Sequence, residues 1–472
     1  MIFLHLWSIC QRKKTLVLIV IYCVCTFLFI SYIKSSIYPK KENCFLNEEN
    51  SIKSMELISK IETNMNVFLK KHSKFRLYNK SDVWTEIAQD VFIYSAYIDK
   101  CPSTMSLSSY CVQFIGITLL NITDFDSSMS DLKCAFKRRS NIERLGLAFI
   151  EKLPEHHFKP YTAALFYCSL NRYTADLTSI DYATLYRFSV STWLQTTYLV
   201  SDTSSDITVN LCVRPLYGLF SSIHLVEFLA YYKTMGVKHF IFYRHNVSES
   251  MDLFLNYLIF LNVSMEIRTW DVPLDNNLIH EYGQIVFTQD CIVRSRYKFS
   301  HTIIVDIDEF IVPKLHSNIT ALISYLDKNY ENAGSYTIPM VLFCDEFSYD
   351  KSSSSLFHIL DNNKRQRTPW AHRYRSKYIV RSARVFYGGI HFVWKHEKKW
   401  YEVKVSDSTA LLHHYRHCCG LLQTWFFHLF NFHVLNDDIV IDDSLIKNAY
   451  KLVNDSLVLL ILDLSNVISF DI

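Results

Sequence analysis

The feature that most constrains the fold is an alternation of strand-like and helix-like segments that begins near residue 205. The strand-like runs are rich in β-branched and aromatic residues and read ITVNLCVRPLY, VKHFIFY, SMEIRTW and HTIIVDIDEFIVP. The helix-like segments between them include SSIHLVEFLAYYKTMG, in which Leu225, Phe228, Leu229 and Tyr232 recur at the spacing of one helix face. This order predicts βαβ units, and therefore an α/β fold with a mostly parallel sheet covered by helices on both faces.

Local signals also predict where these helices begin and end. Gly236 stands where a helix C-terminus requires a positive φ. Ser248 or Ser250 is expected to cap the next helix at its N-terminus, and the sequence leaves both open.

Two aspartates follow the apolar run HTIIV, with a third acid beside them. Asp306 and Asp308 are one residue apart, so their side chains point to the same face of an extended chain. Parallel sheets bind ligands beyond the carboxyl ends of their strands. Paired carboxylates there suit Mg²⁺ or Mn²⁺ shared with substrate phosphates, whereas a solvated acidic loop is the alternative. Glu309 is either a further ligand or a surface acid.

The N-terminus contains an uncharged apolar stretch of membrane length. TLVLIVIYCVCTFLFISYI occupies residues 15–33 and, at about 1.5 Å per residue, would span roughly 28 Å as a helix. Basic residues precede it at Arg12, Lys13 and Lys14, which favours a cytosolic N-terminus. The stretch predicts an uncleaved signal-anchor and a single-pass type II protein, with a cleaved signal peptide as the alternative.

The number of cysteines and the net charge indicate in which compartment the protein lies and which partners it binds. Ten cysteines follow the apolar stretch, an even number that fits disulfides in an oxidising compartment without revealing their pairing. They are Cys44, Cys101, Cys111, Cys134, Cys168, Cys212, Cys291, Cys344, Cys418 and Cys419. N-glycosylation sequons, for example at Asn79 and Asn246, agree with a lumenal glycoprotein. The net charge of +3 argues against nucleic acid as the main partner.

Composition shifts divide the chain into six segments. The predicted boundaries are a cytosolic tail at 1–14, a transmembrane signal-anchor at 15–33 and a polar, lysine-rich stem at 34–75. Short apolar runs with polar breaks predict a smaller β-rich lumenal domain at 76–204. The α/β catalytic domain is expected at 205–445, followed by a C-terminal segment at 446–472.

The segment from Val213 to Arg416 resembles glycosyltransferase family 92. The matching stretches are VRPLYG, LVEFLAYYKTMGVKHFIFYRHNVS, GQIVFTQDCIVRSRYKFSHTIIVDIDEFIVP, SKYIVRSARVFYGGIH and HHYR. The resemblance implies a Rossmann-like GT-A fold, a UDP-sugar donor, a divalent cation (Mn²⁺ or Mg²⁺) and transfer of a hexose, with galactose as the expected sugar, to a glycan such as an N-glycan with inversion. The type II layout then implies a Golgi membrane enzyme. The alternative is a catalytically inactive, membrane-anchored relative that binds glycans.

The resemblance and the chemistry together nominate site residues. Asp306 and Asp308 would link the metal to the diphosphate, and His414 in LLHHYRHCC would complete the metal site, with His413 as the alternative. Arg416 could hold a phosphate through two hydrogen bonds.

The remaining nominated residues would bind the nucleotide or act as the base. Asp345 and Glu346 follow another apolar strand and are the candidates for the general base that inversion requires. The predicted donor-binding residues are Arg214 and Tyr217 after the first strand, Asp290 on a helix, and Arg381, one of the five cations between Arg373 and Arg384 in RTPWAHRYRSKYIVRSAR.

Overall fold

The computed structural model describes residues 48–71, 83–103, 109–120, 128–139, 141–170, 176–200, 206–218, 221–345, 347, 357–418, 439–445 and a few positions between 451 and 458. The predicted tail and membrane span lie outside the described residues. None of the helices in the described ranges combines the length and the apolar character that crossing a bilayer requires.

The strands between residues 85 and 198 form a sheet of their own. They are β1 (Thr85–Ala88), β2 (Val91–Lys100), β3 (Tyr110–Leu119), β4 (Ser128–Arg138), β5 (Asn141–Lys152), β6 (Tyr161–Ser169), β7 (Ile180–Tyr186) and β8 (Leu194–Tyr198). Their order is β1-β2-β3-β6-β5-β4-β7-β8, and β8 pairs back to β2. Strands β2 to β8 therefore close into a seven-stranded barrel. Buried Phe114, Phe136 and Phe166 belong to one apolar cluster of this barrel. The predicted domain boundaries themselves stay predictions.

Helices and further strands make up the rest of the described chain. The helices are α1 (Glu48–Lys71), α2 (Ser222–Thr234), α3 (Glu249–Phe260), α4 (Gln284–Ser295), α5 (Ile319–Asn329) and α6 (His358–Asp361). The strands are β9 (Val209–Tyr217), β10 (His239–Asn246), β11 (Met265–Thr269), β12 (His301–Val305), β13 (Glu309–Pro313), β14 (Ala333–Ile338), β15 (Met340–Cys344), β16 (Lys364–Gln366), β17 (Lys377–Val380), β18 (Val385–Gly388), β19 (Val393–His396), β20 (Tyr401–Lys404), β21 (Ala410–Arg416) and β22 (Ile439–Ile441).

A second sheet has the order β11-β10-β9-β12-β17-β14-β20. Its first four strands run parallel. Strand β17 runs antiparallel to both of its neighbours, β12 and β14. The sheet is therefore mixed, and the structure confirms an α/β arrangement. Its assignment as a Rossmann-like GT-A fold stays a prediction.

Successive side chains of β9 point to opposite faces of this sheet and pack against different helices. Val209, Leu211 and Val213 belong to the cluster that contains the apolar residues of α2, α3 and α5. Cys212 faces the other layer and is disulfide-bonded to Cys291 of α4. Helices therefore cover both faces, as the near-continuous apolar composition of the strand predicts.

The predicted helix ends agree with the structure. Gly236 follows α2 with a φ of 95°, where any Cβ would also press against Thr320. Of the two open N-cap candidates, Ser248 is the cap: its hydroxyl accepts the N–H of Met251.

Helix α1 lies within the predicted stem, yet it packs on the second sheet's helices. Met65 and Leu69 are buried in the same cluster as α2 and α3. Glu62 accepts the N–H of Ser222 at the start of α2. The described part of the stem is therefore attached to the α/β part rather than separate from it.

Eight of the ten cysteines after the apolar stretch form disulfides. The pairs are Cys101–Cys111, Cys134–Cys168, Cys212–Cys291 and Cys344–Cys418. Cys44 and Cys419 lie outside the described residues.

Candidate functional site

Asp306 and Asp308 lie in the turn that joins β12 to β13. Asp306 directly follows Val305, the last buried residue of β12. The N–H of Glu309 donates back to the carbonyl of Asp306 at 3.2 Å, while Oε2 of Glu309 accepts the N–H of Asp306 at 2.8 Å. Only 2% of Glu309 is exposed, so the interpretation of this residue as a surface acid is wrong. Its carboxylate holds the turn that presents both aspartates.

His414 reaches the same turn from β21. Strands β13 and β21 pair antiparallel with Glu309 opposite His414. Nε2 of His414 lies 3.2 Å from Oδ2 of Asp308, and Nδ1 lies 3.6 Å from Oε1 of Glu309. Burial lowers the pKa of His414, but the two carboxylates outweigh it and raise that pKa above its usual value. The structure thus brings the three predicted metal ligands into one group, which we name the acid turn: Asp306, Asp308, Glu309 and His414.

Two cations neutralise Asp306. Nζ of Lys377 lies 2.9 Å from Oδ1 of Asp306 and 3.4 Å from Oε2 of Glu309. Nη1 of Arg214 lies 3.7 Å from Oδ2 of Asp306. Burial raises the pKa of Asp306, yet the charges of Lys377 and Arg214 hold it well below its usual value. Because Lys377 is only 2% exposed, a charge at this depth requires a partner, and the acid turn supplies it.

One atom of the acid turn fits a cation. Oδ1 of Asp308 is buried and has no hydrogen-bond partner among the described residues, and a buried carboxylate oxygen in that state is a suitable ligand for Mn²⁺ or Mg²⁺. As the side chains stand, however, the described residues include no group of three or more His, Cys, Asp or Glu arranged to hold a metal ion. Asp306 is turned toward Lys377 instead. The metal role of these residues stays a prediction.

Arg214 and Tyr217 lie beside the acid turn. The guanidinium of Arg214 lies 5.5 Å from the ring centre of Tyr217, whose hydroxyl donates to Glu281. The ring of Tyr217 also meets that of Tyr282 edge-on at 4.8 Å. Glu281 and Tyr282 have φ values of 43° and 51°, a conformation that L-residues rarely adopt and that is frequent at functional sites. An aromatic ring beside a cation is a suitable pocket for a uridine diphosphate.

Arg416 and Arg375 supply further positive charge near the acid turn. Arg416 ends β21, two residues after His414, so both point to the same face of the strand. Burial and the charge of Arg416 lower the pKa of Arg375. The arrangement agrees with a phosphate-binding role for Arg416, which stays a prediction.

Arg381 lies at the opposite end of the sheet. Nε of Arg381 donates to His301, the first residue of β12, and its guanidinium also pairs with Asp327. Asp306 follows the last residue of the same strand, so the length of β12 separates Arg381 from the acid turn. The predicted contact of Arg381 with the diphosphate therefore has no support in the geometry.

Asp290 binds the barrel rather than the acid turn. Its carboxylate accepts hydrogen bonds from Tyr97 of β2 at 2.7 Å, from Tyr243 of β10 at 2.6 Å and from Arg294 at 3.0 Å. The carboxylate is fully buried. This set of partners indicates a structural residue at the junction of the two sheets, and the predicted nucleotide contact has no geometric support.

Asp345 lies near the acid turn, but its side chain is on the same side of β21 as Tyr415 and on the opposite side from His414. Asp345 Oδ1 is 3.0 Å from Nε2 of His358, whose ring contacts Tyr415 at 5.7 Å. Tyr415 alternates with His414 along β21, so the two side chains point to opposite faces. Glu346 lies outside the described residues, and the identity of the base stays a prediction.

The cation of the RTPWAHRYRSKYIVRSAR segment that contacts Asp306 is Lys377, whereas Arg381 contacts His301. Lys377 begins β17 and Arg381 follows its end. Because β17 runs antiparallel to β12, its first residue, not its last, lies beside Asp306. Only the direction of β17 could have identified Lys377, and the motif itself carries no signal for it.

Comparisons with known proteins add a family to this geometry. Residues 207–447 match glycosyltransferase family 92. No curated protein matches the chain. Similar solved structures include HddC from Yersinia pseudotuberculosis, with 10% identity and a TM-score of 0.24 over 48% of this chain and 97% of that one. UDP-glucose pyrophosphorylase complexed with UDP-glucose has 8% identity and a TM-score of 0.21 over 44% and 90% of the two chains. The apo form of UDP-glucose pyrophosphorylase has 9% identity and a TM-score of 0.20 over the same shares, 44% and 90%. At these TM-scores the structural likeness carries no argument.

Proposed function

Because the chain belongs to glycosyltransferase family 92, we propose that it transfers a hexose, with galactose as the expected sugar, from a UDP-sugar to a glycan acceptor with inversion. The observation that carries the proposal is the acid turn at the end of β12, flanked by Lys377 and Arg214. A leaving diphosphate develops negative charge, and preorganised cations stabilise that charge at little cost of reorganisation.

Each residue of the site has a part in this reaction. Arg214 and Tyr217 would hold the uridine diphosphate, and Lys377 would face its phosphates when Asp306 turns away. Asp306, Asp308 and His414 would hold Mn²⁺ or Mg²⁺, which when bound would neutralise the diphosphate. The acceptor hydroxyl gives its proton to a base, its oxygen bonds to the anomeric carbon from the opposite face, and the bond to UDP breaks. The sequence nominates Asp345 as this base, but its side chain pairs with His358 on the other face from His414, so the assignment requires a rearrangement of Asp345 toward the acceptor.

Turnover of UDP-sugars tests this proposal directly. Asp308→Asn removes the negative charge of the buried carboxylate and keeps the size of the side chain. Asp407→Asn makes the same change at an exposed residue and is the matched control. We expect UDP-galactose turnover with Mn²⁺ to fall by at least about a hundredfold in D308N, within the range that single electrostatic contacts contribute to catalysis. Equal turnover in D308N and D407N would refute the role of the acid turn.

One observation favours a second candidate function. Asp306 is bound by Lys377 and Arg214, which would also neutralise the acids in a relative that needs no metal or has lost catalysis. Such a protein would bind glycans without turning over a donor. Calorimetric titration with UDP and Mn²⁺ separates the two functions, since the inactive relative has no need to bind the nucleotide.

The proposal includes a single-pass type II Golgi membrane protein with a lumenal catalytic part. The uncharged stretch at 15–33 and four disulfides, which form in oxidising compartments, support this location. Extraction of cell membranes at alkaline pH tests it: release of the protein into the supernatant would argue against an uncleaved anchor.

A further inference from the structure

An exposed aromatic surface lies where the loop after β5 of the barrel meets the hairpin formed by β18 and β19. The indole of Trp394 is 42% exposed, and its N–H donates to Oε2 of Glu155 at 2.8 Å. The same oxygen accepts the N–H of Ile390 at 2.9 Å. Phe392 lies 4.9 Å from Trp394, ring centre to ring centre. Phe158, three residues after Glu155, is 99% exposed. We name the group formed by Glu155, Phe158, Phe392 and Trp394 the junction surface.

The glycine after β18, Gly389, allows Glu155 and Trp394 to lie close to the backbone. A Cβ at Gly389 would lie 2.4 Å from Oε2 of Glu155 and 2.4 Å from Cδ1 of Trp394. Real side chains do not approach so closely, so any other residue would displace both groups. The carboxylate and the indole are therefore held in a fixed relation to each other by the fold.

Histidines line the neighbouring part of the junction. The rings of His157 and His280 stack with centres 3.7 Å apart, and Nε2 of His157 lies 3.9 Å from Oε1 of Glu155. Burial, followed by the proximity of His157, lowers the pKa of His280 to about 4, so its ring is neutral at neutral pH. The neutral imidazole of His280 and the carboxylate of Glu155 together donate and accept hydrogen bonds in several directions.

Backbone strain is concentrated at the same place. His157 and Phe158 have φ values of 51° and 59° on the barrel side, and Glu281 and Tyr282 have φ values of 43° and 51° on the other. Residues other than glycine adopt such angles only at an energetic cost, and they cluster at functional sites. Two strained loops from different sheets therefore meet at the junction surface.

Continuous contacts connect the junction surface to the acid turn. His391 follows Ile390, the partner of Glu155, and its Nδ1 lies 3.2 Å from the carbonyl oxygen of Ser376. Ser376 precedes Lys377, which binds Asp306. A second connection runs from His280 through the next residue, Glu281, to Tyr217. Only a few residues therefore separate the junction surface from the acid turn.

We propose that the junction surface binds the acceptor glycan, an inference that rests on the proposed glycosyl transfer. The C–H bonds of one pyranose face carry partial positive charge and stack on the negative face of an aromatic ring such as Trp394. Glu155 and the histidines bind the hydroxyls at the ring edge. Sites at the junction of two units, with an apolar wall and a few convergent polar groups, are the usual location for small-molecule ligands.

Substitution of Trp394 tests this assignment. In W394A, KM for a soluble biantennary N-glycan should rise about tenfold, the upper end of what one aromatic contact contributes. KM for UDP-galactose and hydrolysis of UDP-galactose without acceptor should stay unchanged. W394F keeps a ring and should recover most of the acceptor affinity. G389A should behave like W394A, whereas G146A, where an added Cβ meets no atom of the described residues within 4 Å, is the control.

Direct binding separates this inference from the transfer reaction itself. Tryptophan fluorescence of the wild-type protein should change when a peptide that carries the biantennary N-glycan is added. It should stay constant when the same peptide without the glycan is added. Failure of the wild-type protein to bind the glycan, or equal binding by W394A, would overturn the inference. Glycan binding without any turnover of UDP-sugars would refute the transferase function and leave the junction surface intact. A common rise of donor and acceptor KM in W394A would also contradict the assignment.

Discussion

Replacement of Asp290 by Asn tests whether this residue serves structure or nucleotide binding. Burial raises the pKa of Asp290, but the charge and hydrogen bond of Arg294 outweigh it and lower that pKa from 3.8 to about 2. At about 1.4 kcal/mol for each unit of pKa, the ionised carboxylate contributes about 2–3 kcal/mol to the free energy of unfolding. Loss of a partner for a buried arginine costs about 3–5 kcal/mol. Glu266, 3.3 Å from Arg294, keeps part of that charge paired. We therefore expect D290N to lose about 2–3 kcal/mol.

Equilibrium urea unfolding, followed by tryptophan fluorescence, measures this loss. Since the pKa of Asp290 is lower in the folded state, its contribution is complete above the unfolded pKa near 4 and disappears as the pH falls through about 2. The difference between D290N and wild type should be full at pH 7 and smaller at pH 3. D407N, an exposed control, should stay within about 0.5 kcal/mol of wild type. Unchanged stability combined with a raised KM for UDP-galactose would refute the structural role and restore the nucleotide contact.

Two further predictions concern other buried groups. The C344A/C418A double variant opens a ring closed over 74 residues, and should lose about 4 kcal/mol of unfolding free energy through the greater entropy of the unfolded chain. Urea unfolding without reductant measures this loss, and an unchanged unfolding midpoint in the double variant would contradict the prediction. Glu227→Gln removes a carboxyl whose pKa burial raises from 4.5 to about 7. A raised acid pKa stabilises the fold below about pH 4.5, and this contribution disappears as the pH rises to about 7. Wild type should therefore lose about 3 kcal/mol more than E227Q between pH 4.5 and 8, and parallel pH profiles would exclude this effect.

Local patterns predicted the elements of the second sheet well. Branched residues and helical spacing identified β9 to β12 and the helices between them, and the ends at Gly236 and Ser248 followed from capping chemistry. These signals depend on neighbours within a few residues of sequence. The seven-stranded closure of the barrel depends on the pairing of β2 with β8, about a hundred residues away, and short apolar runs do not specify such a partner.

Some residues of the candidate site could likewise be identified from local sequence, whereas the positions of others depend on strand pairing. Asp306 and Asp308 could be identified from the sequence because they directly follow an apolar strand. Arg214, Tyr217 and His414 were found through the family resemblance, and the structure brings them to the same turn. Arg214 and Tyr217 lie on β9, which pairs with β12, and His414 lies on β21, which pairs with β13 opposite Glu309. Their positions follow once these pairings are known.

Residue type and spacing along the chain are enough to predict an α/β unit with acids at the end of a strand, because they specify local structure and its periodicity. The distant groups that meet these acids follow from the three-dimensional fold. The antiparallel direction of β17 selects Lys377 over Arg381. The alternation of side chains along β21 puts His414 and Tyr415, the neighbour of His358, on opposite faces. Strand direction and facing depend on long-range pairing and burial, which no short segment of the chain encodes.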